Sequence, residues 1–561
     1  MHNLIDRVGE WNPQLFRELK GRLKKFPVII ALVTSLATQL ILFIFHAIQV
    51  PNLDGKTVYI NDKYCKVGYP NNSSYLTCPT NKIDMQLWWQ DHFGYIFLTL
   101  STIFIFTLLV AGTYLIINDL SLEERKGTLN FIRLSPQSET SIFTGKILGV
   151  PALVYLAVLT AIPFHIFTGI AGNISLVNIL CFYLVLSVSC IFFYSIASLF
   201  GIFGGSAFSG FKPWLGSGLI LLFLWIMMPI TYADSYHSYI AFIRLFSPHD
   251  ITNYLFSNLP DSNSALEDLE FFNLALGRSF VAVIAIHLAN YALWTYWAWQ
   301  GLKRCFRNPN ATIVSKQQSY LIVASFEVMI LGFYLSQYYT GSYDFYQGIG
   351  SLYVWNLFII VPLFALILPH RQAIQDWARF RYQKDANSTD SSSKSLLSQL
   401  IVGEKSPATL AIAIDLLIAA SAFVVLFFNA KGKNLYTSEN ILGFVSSFLL
   451  FISLITIYAT IAQIMLMLKN SKRTLWAMGT VSAAIILPIV VLGILSVEPS
   501  NILWQFTIAF WFTAQESTGY IILSAFLCQV VILGLLNWYL IKQVRSAGES
   551  ATKALFSQAK V

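Results

Sequence analysis

The chain has 561 residues, of which 56% are hydrophobic and 11% charged, and its formal net charge is +8. Soluble domains carry about 25% charged residues, so this composition excludes a protein dissolved in water. Backbone groups in lipid are satisfied only in helices or closed barrels, and the long unbroken apolar runs favour helices. We therefore expect an all-α fold, a polytopic transmembrane helix bundle.

Twelve apolar segments are long enough to cross a bilayer core of about 30 Å, which takes about 20 helical residues. They form two halves of six spans each. The predicted spans are 27–50, 92–117, 147–169, 174–200, 214–233, 271–300, 320–340, 349–369, 407–429, 440–468, 474–496 and 519–540.

The orientation follows from the positions of the 36 Lys and Arg residues. If both termini are cytoplasmic, 28 of them lie in cytoplasmic segments and 7 in outer segments, with Arg278 inside the sixth span. Cytoplasmic loops of membrane proteins carry the excess of Lys and Arg. We therefore expect a multi-pass protein of the cell (cytoplasmic) membrane with both termini cytoplasmic. Its positive charge then favours membrane lipids as partners rather than nucleic acid.

The chain begins with a predicted interfacial elbow helix at residues 1–26. Asn12 is a helix cap and Pro13 suits the first helical position, and the helix that follows has one apolar and one basic face, as surface helices do. A six-span domain at 27–300 follows. A basic linker at 301–319 leads to a second six-span domain at 320–545 and a cytoplasmic tail at 546–561.

The most distinctive polar stretch is 118–146, after the second span. Ser121 and Glu124 have the spacing of a capping box, which predicts a helix that begins at Ser121. Gly127 breaks or tightens the turn, and apolar residues follow at near-helical spacing before Ser135-Pro136 ends the run. The stretch predicts a short, half-polar helical elbow at the membrane surface.

This stretch, with EERKGTL followed by LSP and then a Gly-Lys pair, resembles the coupling segment of ATP-binding-cassette (ABC) export permeases of the type-2 class. In that family the segment joins the second and third spans and docks on a separate ATPase subunit. The resemblance covers residues 1–300 and is weak beyond them. The matching positions are Glu123, Glu124, Arg125, Gly127, Thr128, Leu129, Leu134, Pro136, Gly145 and Lys146. The alternative is a solvated connector between two spans.

The resemblance implies the membrane subunit of an ATP-driven exporter, with ATP and Mg on the partner ATPase and no cofactor on this chain. The sequence agrees with ATP binding on a separate subunit, because it contains no Gly-x-x-x-x-Gly-Lys-Ser/Thr phosphate loop. It also shows no zinc-ligand spacing and no assignable catalytic arrangement, so we expect neither a metal site nor an enzyme. The transported substrate is not identified by the sequence.

Ionisable and polar residues inside spans are functional candidates, because burying a charge at mid-membrane costs at least about 2.5 kcal/mol. Arg278 and Glu327 are the deepest, Asp415 lies about two turns into the ninth span, and His287 and Asn290 share a face of the sixth. They predict either a proton or substrate path or structural pairs, such as Arg278 with a carboxylate.

Two cysteines, Cys65 and Cys78, lie in the first outer loop. If that side is oxidising, they can form a disulfide that contributes about 3 kcal/mol in the chain-entropy model. The alternative is two free thiols.

The second half contains a loop, 370–406, in the position that 118–146 holds in the first. Its Ser406-Pro407 resembles Ser135-Pro136, but the Glu-Glu and Gly-Thr residues are missing. It is either a degenerate repeat or an unrelated extension. A complex with the ATPase would accordingly hold one permease chain if the loop is a repeat and two permease chains if it is an extension.

Two other functions stay open beside the exporter. A secondary, ion-coupled transporter of 6+6 spans would use Glu327, Asp415 and Arg278 as coupling groups. A membrane-embedded transferase would need acidic residues in a large outer loop, whereas the loops here are short.

Overall fold

The structure is a computed structural model that describes residues 9–52, 55–66, 75–203, 211–231, 238–256, 265–309, 311–335, 342–387, 396–429, 438–470, 472–513, 517 and 519–558. The chain divides into two compact units. One comprises Met1–Leu269 and Ala275–Leu302, and the other comprises Glu270–Leu274 and Lys303–Val561.

Helices dominate the first unit, with one two-stranded sheet. The helices are α1 Pro13–Arg22, α2 Lys25–Ala47, α3 Met85–Phe106, α4 Gly112–Arg125, α5 Thr128–Leu134, α6 Glu139–Gly149, α7 Ala152–Ala171, α8 Leu176–Ile202, α9 Lys212–Thr231, α10 Ser238–Arg244, α11 Pro248–Leu255 and α12 Phe280–Arg307, whose last residues belong to the second unit. The strands are β1 Thr57–Asn61 and β2 Tyr75–Pro79.

Two short strands, β3 Glu270–Phe271 and β4 Leu274–Ala275, precede α12. The remaining helices belong to the second unit. They are α13 Lys316–Tyr334, α14 Ser342–Ile367, α15 Arg371–Asn387, α16 Leu396–Val402, α17 Thr409–Asn429, α18 Ser438–Leu466, α19 Arg473–Ile494, α20 Phe510–Thr513 and α21 Gly519–Gln558.

Eleven helices of the described part are long and apolar enough to cross a membrane. The fold is therefore an all-α, multi-pass helix bundle. Helix α13, which covers most of the predicted span 320–340, is not among the eleven. It begins with Lys316 and two glutamines and carries Glu327, and these polar residues lower its mean hydropathy.

Helix boundaries follow local chemistry at several places. The Asn12 side chain accepts a hydrogen bond from the Leu15 amide and Pro13 is the first helical residue of α1, as the sequence predicted. Ser138 and Ser175 cap α6 and α8 in the same way, and Ser315 with Gln318 forms a complete capping box on α13. Each cap satisfies amides that have no partner inside the helix.

The loop between α2 and α3 contains a small hairpin. Strands β1 and β2 pair antiparallel, with Thr57 opposite Pro79 and Asn61 opposite Tyr75. The structure joins the predicted pair, Cys65 and Cys78, by a disulfide bond.

Helix α21 is 40 residues long and continues through the predicted end of span twelve into the predicted tail 546–561. Its extension packs on α15 through a small apolar cluster that includes Ile374, Leu540 and Ala547. Helix α15, in the loop 370–406, is therefore supported from the side by the last helix.

Candidate functional site

The second span leads directly into the segment that the sequence singled out. Helices α3 and α4 form one continuous helix, Met85–Arg125, and Gly127 then adopts φ 71°, in the left-handed region. Glycine enters that region without the steric cost that side chains incur. The long helix therefore ends before Gly127, and α5 begins at Thr128 and ends before Ser135-Pro136, where the sequence predicted its end.

The predicted helix start at Ser121 is wrong. Ser121 lies inside α4, fully buried, and its Oγ has no hydrogen-bond partner in the described part of the chain. Glu124 instead forms an ion pair with Lys212 at the start of α9, with 3.2 Å between Oε2 and Nζ. The span continues to Arg125 because tertiary packing of α4 on α8 and α9 extends it.

Helix α5 has two different faces. Leu129 and Ile132 are 1% and 8% exposed and pack inward, as residues three apart on one helix face do. Phe131 and Leu134 are 77% and 85% exposed, so the predicted position Leu134 lies on a different face from Leu129 and Ile132. Two large apolar side chains on one short helix therefore point away from the unit.

Basic and polar residues surround these two side chains. Arg125 and Lys126 at the end of α4 are exposed, as are Thr128 and Pro136. The exposed surface of α5 is thus apolar at its centre and cationic on one side.

Lys146 of α6 is the centre of a buried ion network. Its side chain is 0% exposed, and Nζ lies 2.6 Å from Asp119 Oδ2, 2.8 Å from Glu123 Oε2 and 3.5 Å from Glu18 Oε1. Asp119 and Glu123 are on α4, and Glu18 is on α1. One ammonium group therefore joins three helices around α5.

Two arginines of α1 complete the network. Arg22 Nη2 lies 2.6 Å from Asp119 Oδ1, and Arg17 Nη2 lies 2.5 Å from Glu123 Oε1. The network contains three carboxylates and three cations, so its formal charge is balanced. Burial of charged groups is tolerated when opposite charges compensate one another at close range in this way.

The charges shift pKa values in the directions that stabilise the ionised forms. Burial by itself would lower the pKa of the Lys146 ammonium, but Asp119, Glu123 and Glu18 outweigh burial and raise it. Burial would raise the pKa of the Glu18 carboxyl, but Lys146, Arg17 and Arg22 together lower it.

The three carboxylates have oxygen atoms within 4.8 Å of one another, close enough to hold a metal ion. Lys146 Nζ occupies the space between them, because it lies within ion-pair distance of all three. The cluster is therefore a lysine-centred ion network.

Two glycines of α6 allow α1 to approach closely. A Cβ atom on Gly145 would lie 2.8 Å from the Leu15 amide nitrogen, and one on Gly149 would lie 2.5 Å from Glu18 Cβ. Asn12 also donates a hydrogen bond from Nδ2 to the Ser141 carbonyl, at 2.8 Å. Glycines four residues apart let helix backbones pack closely, so the Gly145 of the predicted motif has a packing role.

Span two contains a π-helical turn, Thr107–Ala111, between α3 and α4. Tyr194 of α8 is fully buried there and donates a hydrogen bond to the Leu108 carbonyl at 2.7 Å. A Cβ on Gly112 would lie 2.1 Å from the Tyr194 hydroxyl, so the turn requires this glycine. π-turns inside α-helices occur frequently at functional sites. The sequence analysis missed this one, because no residue pattern marks it.

The corresponding loop of the second unit has a different chemistry. Lys316 Nζ donates to the Leu400 carbonyl at 2.8 Å, Ser406 Oγ at 2.8 Å and the Pro407 carbonyl at 3.0 Å. Among the ion pairs of the described residues, none includes Lys316, which is 2% exposed. A buried lysine again holds the loop, but its partners are neutral. Residues 388–395 of this loop lie outside the described residues.

The predicted intramembrane residues separate into different environments. Arg278 is exposed in a 3-10 turn, Leu276–Arg278, before α12 begins, so its predicted place inside span six is wrong. His287 and Asn290 are both fully buried on α12. In the second unit, Glu327 is buried on α13 close to Asn356, and Asp415 of α17 accepts a hydrogen bond from Ser319 at 3.0 Å.

The sequence analysis also missed a buried ion pair in the first unit. Arg244 and Asp250 are 3% and 1% exposed, and both Nε and Nη2 of Arg244 donate to Asp250 Oδ1, at 2.9 and 2.5 Å. They lie in a stretch that the sequence analysis placed in an outer loop. Two oppositely charged residues six apart in a predicted loop were the only available signal.

Comparison with known proteins gives no match: no family model, curated protein or solved structure matches the chain.

Proposed function

We propose that this chain is the membrane subunit of an ATP-driven exporter of the type-2 permease class, and that a separate ATPase subunit docks on α5. The observation that supports this proposal best is the exposure of Phe131 and Leu134 on a short helix after the second span. Contiguous exposed apolar patches mark sites of interaction with proteins or membranes.

The helices around α5 are connected in a way that would transmit a movement of the docked ATPase to the spans. A helix that merely connects two spans does not need a buried, charge-balanced support, because solvent satisfies its polar groups. Here Lys146 joins α4, α6 and α1, and Glu124 adds α9. A displacement of α5 would therefore move several spans together, since packed and ion-paired elements move as units.

ATP is bound and hydrolysed on the partner subunit in this proposal. This chain supplies the docking helix, the rigid connection and the membrane path. Its role is transport of a substrate that the sequence does not identify, without chemistry on that substrate.

Purification of the tagged chain from its native membranes, followed by mass spectrometry, tests the proposal. We expect an ATP-binding polypeptide in the eluate and ATP hydrolysis by the complex. Gly127→Val should remove both while leaving the chain inserted, because a β-branched residue is strained at φ 71°. Gly21→Val is the matched control, since a Cβ at Gly21 meets no atom within 4 Å. Recovery of the ATPase at wild-type levels with Gly127→Val would contradict the proposal.

A second candidate is an ion-coupled transporter, and the buried carboxyl groups of Glu327 and Asp415 favour it. In that case a proton gradient drives transport by the chain in vesicles without any ATPase. Glu327→Gln and Asp415→Asn would then abolish the gradient response, whereas Gly127→Val would leave it intact.

A further inference from the structure

Asp415 is a buried carboxyl group of the second unit. It lies about 9 Å along α17 from the first residue of that helix, Thr409, at 1.5 Å per residue, and it is 0% exposed. Its Oδ2 is 3.0 Å from Ser319 Oγ of α13, whereas its Oδ1 has no hydrogen-bond partner among the described residues. The two carboxyl oxygens therefore have a single polar contact in the described part of the chain.

The hydroxyl group of Ser319 lies between two possible acceptors. Its Oγ is 2.8 Å from the Lys316 carbonyl oxygen, one turn back on α13, and 3.0 Å from Asp415 Oδ2. A hydroxyl group carries one hydrogen, and a backbone carbonyl only accepts. If Ser319 donates to the Lys316 carbonyl, the hydrogen in its contact with Asp415 must belong to Asp415.

The side chain of Lys316 does not compensate a charge on Asp415. Its Nζ has three partners, the Leu400 carbonyl, Ser406 Oγ and the Pro407 carbonyl, which match the three donors of an ammonium group. Among the ion pairs of the described residues, none includes Asp415. The ammonium and the carboxyl group are therefore satisfied separately, although both are next to the first turn of α13.

The two protonation states of Asp415 leave different groups unsatisfied. The ionised carboxylate would be fully buried with one hydroxyl donor and without a cation. The protonated acid leaves only a neutral carbonyl oxygen without a donor. A buried charge without a partner costs much more free energy than a buried neutral oxygen, and such a group takes up a proton instead. The contacts of Asp415 therefore favour the protonated acid.

The helices that pack on α17 carry few other titratable groups. These helices are α13, α14, α16 and α18, and Asp415 is the only titratable residue of α17 itself. The described side chains of the four helices include one cation, Lys316, and one further carboxyl group, Glu327, about two turns beyond Ser319 on α13. The remaining titratable groups are phenols, which are neutral at pH 7. They belong to Tyr320, Tyr353 and Tyr458.

We propose that α13 and α17 form a proton-binding site, in which Asp415 carries the proton on Oδ2 at neutral pH. Asp415 donates this proton to Ser319 Oγ, and Ser319 donates its own hydrogen to the Lys316 carbonyl. The same turn of α13 holds the loop 370–406, through Lys316 Nζ and through the Tyr320 hydroxyl, which donates to the Ile401 carbonyl at 2.8 Å. The bound proton therefore stabilises the contact between α17 and the turn that holds this loop.

Asp250 provides a matched control in the other unit. It is 1% exposed, as buried as Asp415, but Nε and Nη2 of Arg244 both donate to its Oδ1. An opposite charge at this distance favours the ionised carboxylate. Asp250 is therefore not expected to carry a proton at pH 7.

Infrared spectroscopy of the full chain tests the proposal, because the C=O stretching band of a protonated acid is separate from the bands of a carboxylate. The chain is purified in dodecyl maltoside, which has no ester carbonyl, and its aspartate carboxyl groups are labelled with carbon-13 to separate them from Glu327. Aspartates in water have a pKa of about 3.9 and are ionised at pH 7. We therefore expect an acid band of one aspartate per chain at pH 7. Asp415→Asn should remove this band, and Asp250→Asn should retain it.

A second variant keeps the test decisive if Asp415→Asn does not fold. Ser319→Ala removes the acceptor of the acid hydrogen and also the one donor of the ionised form, so the band should shift without loss of intensity. The proposal is overturned by a wild type without an aspartate acid band at pH 7, by loss of the band in Asp250→Asn, or by its persistence in Asp415→Asn. An unchanged band position in Ser319→Ala would also overturn it. These measurements use this chain alone, so their outcome is independent of the ATPase proposal.

Discussion

Each unit contains a loop after its second long helix that is fixed by a buried lysine, and the two lysines are satisfied differently. In the first unit Lys146 contacts three carboxylates on two other helices. In the second, Lys316 contacts two carbonyls and a hydroxyl. Removing a buried cation costs more free energy of folding when its partners are charged than when they are neutral. The two loops therefore hold similar positions in their units but differ in how strongly a substitution of the lysine destabilises them.

The largest expected effect comes from Lys146→Met, compared with Lys316→Met. The first leaves three carboxylates partly buried without their shared cation, which costs about 3 kcal/mol, the lower end for a broken buried pair because Asp119 and Glu123 are partly exposed. The second removes neutral hydrogen bonds and costs about 1–2 kcal/mol. Hydrogen exchange at pH 7 measures the loss of stability in each of the two variants. Equal losses of protection in the two variants would remove the distinction between the loops.

The next effect concerns the close contact of α1 with α6. Gly149→Val places branched carbon atoms where a Cβ is already 2.5 Å from Glu18 Cβ, and overpacking of this kind costs about 1–3 kcal/mol. Gly479→Val, on α19, is the control because a Cβ there meets no atom within 4 Å. Faster exchange of α1 amides in Gly149→Val alone is the expected result; the same change in both would contradict the packing argument.

The smallest effect is the pH dependence of the ion network. The pKa of Glu18 is lowered in the folded protein by Lys146, Arg17 and Arg22 against the effect of burial. The contribution of Glu18 to folding stability is therefore present above its usual pKa of about 4.3. It is lost as the pH falls through the lower pKa of the folded protein.

Exchange of α1 amides, corrected for the intrinsic rate, should accelerate as pH falls from 6 to 3, with a weaker pH response in Glu18→Gln. The loop held by Lys316, which has no carboxylate partner in the described part, should show less acceleration. A Glu18→Gln profile identical to the wild type would show that Glu18 does not contribute.

Local signals predicted part of the structure of the segment 118–146. Gly127 and Pro136 mark the beginning and the end of α5, because both act through their own backbone conformation. The Ser121 capping box failed since the same four residues are compatible with a helix interior, and packing of α4 extended the span through them. A short motif does not reveal whether the preceding helix continues.

Long-range partners could not be predicted in the same way. Lys146 and Glu18 are 128 positions apart, and no periodicity links them. Arg278 was placed inside span six because its neighbours are apolar, whereas the chain forms a 3-10 turn there and α12 begins two residues later. The Arg244–Asp250 pair was missed because charged residues between two spans indicate an exposed loop. Only the fold shows that this pair is buried and that Phe246 between them packs against Phe192 and Tyr291.

We propose that α5, and not the loop of the second unit, carries the main ATPase contact. Purification from native membranes tests it with a double variant, Phe131→Asp with Leu134→Asp, beside Phe380→Asp on α15, whose side chain is 61% exposed. The amount of co-purified ATP-binding polypeptide, measured by quantitative mass spectrometry, should fall at least tenfold in the double variant and less than about twofold in Phe380→Asp, where tenfold corresponds to ~1.4 kcal/mol. Wild-type recovery with the double variant, or a larger loss with Phe380→Asp, would contradict the account.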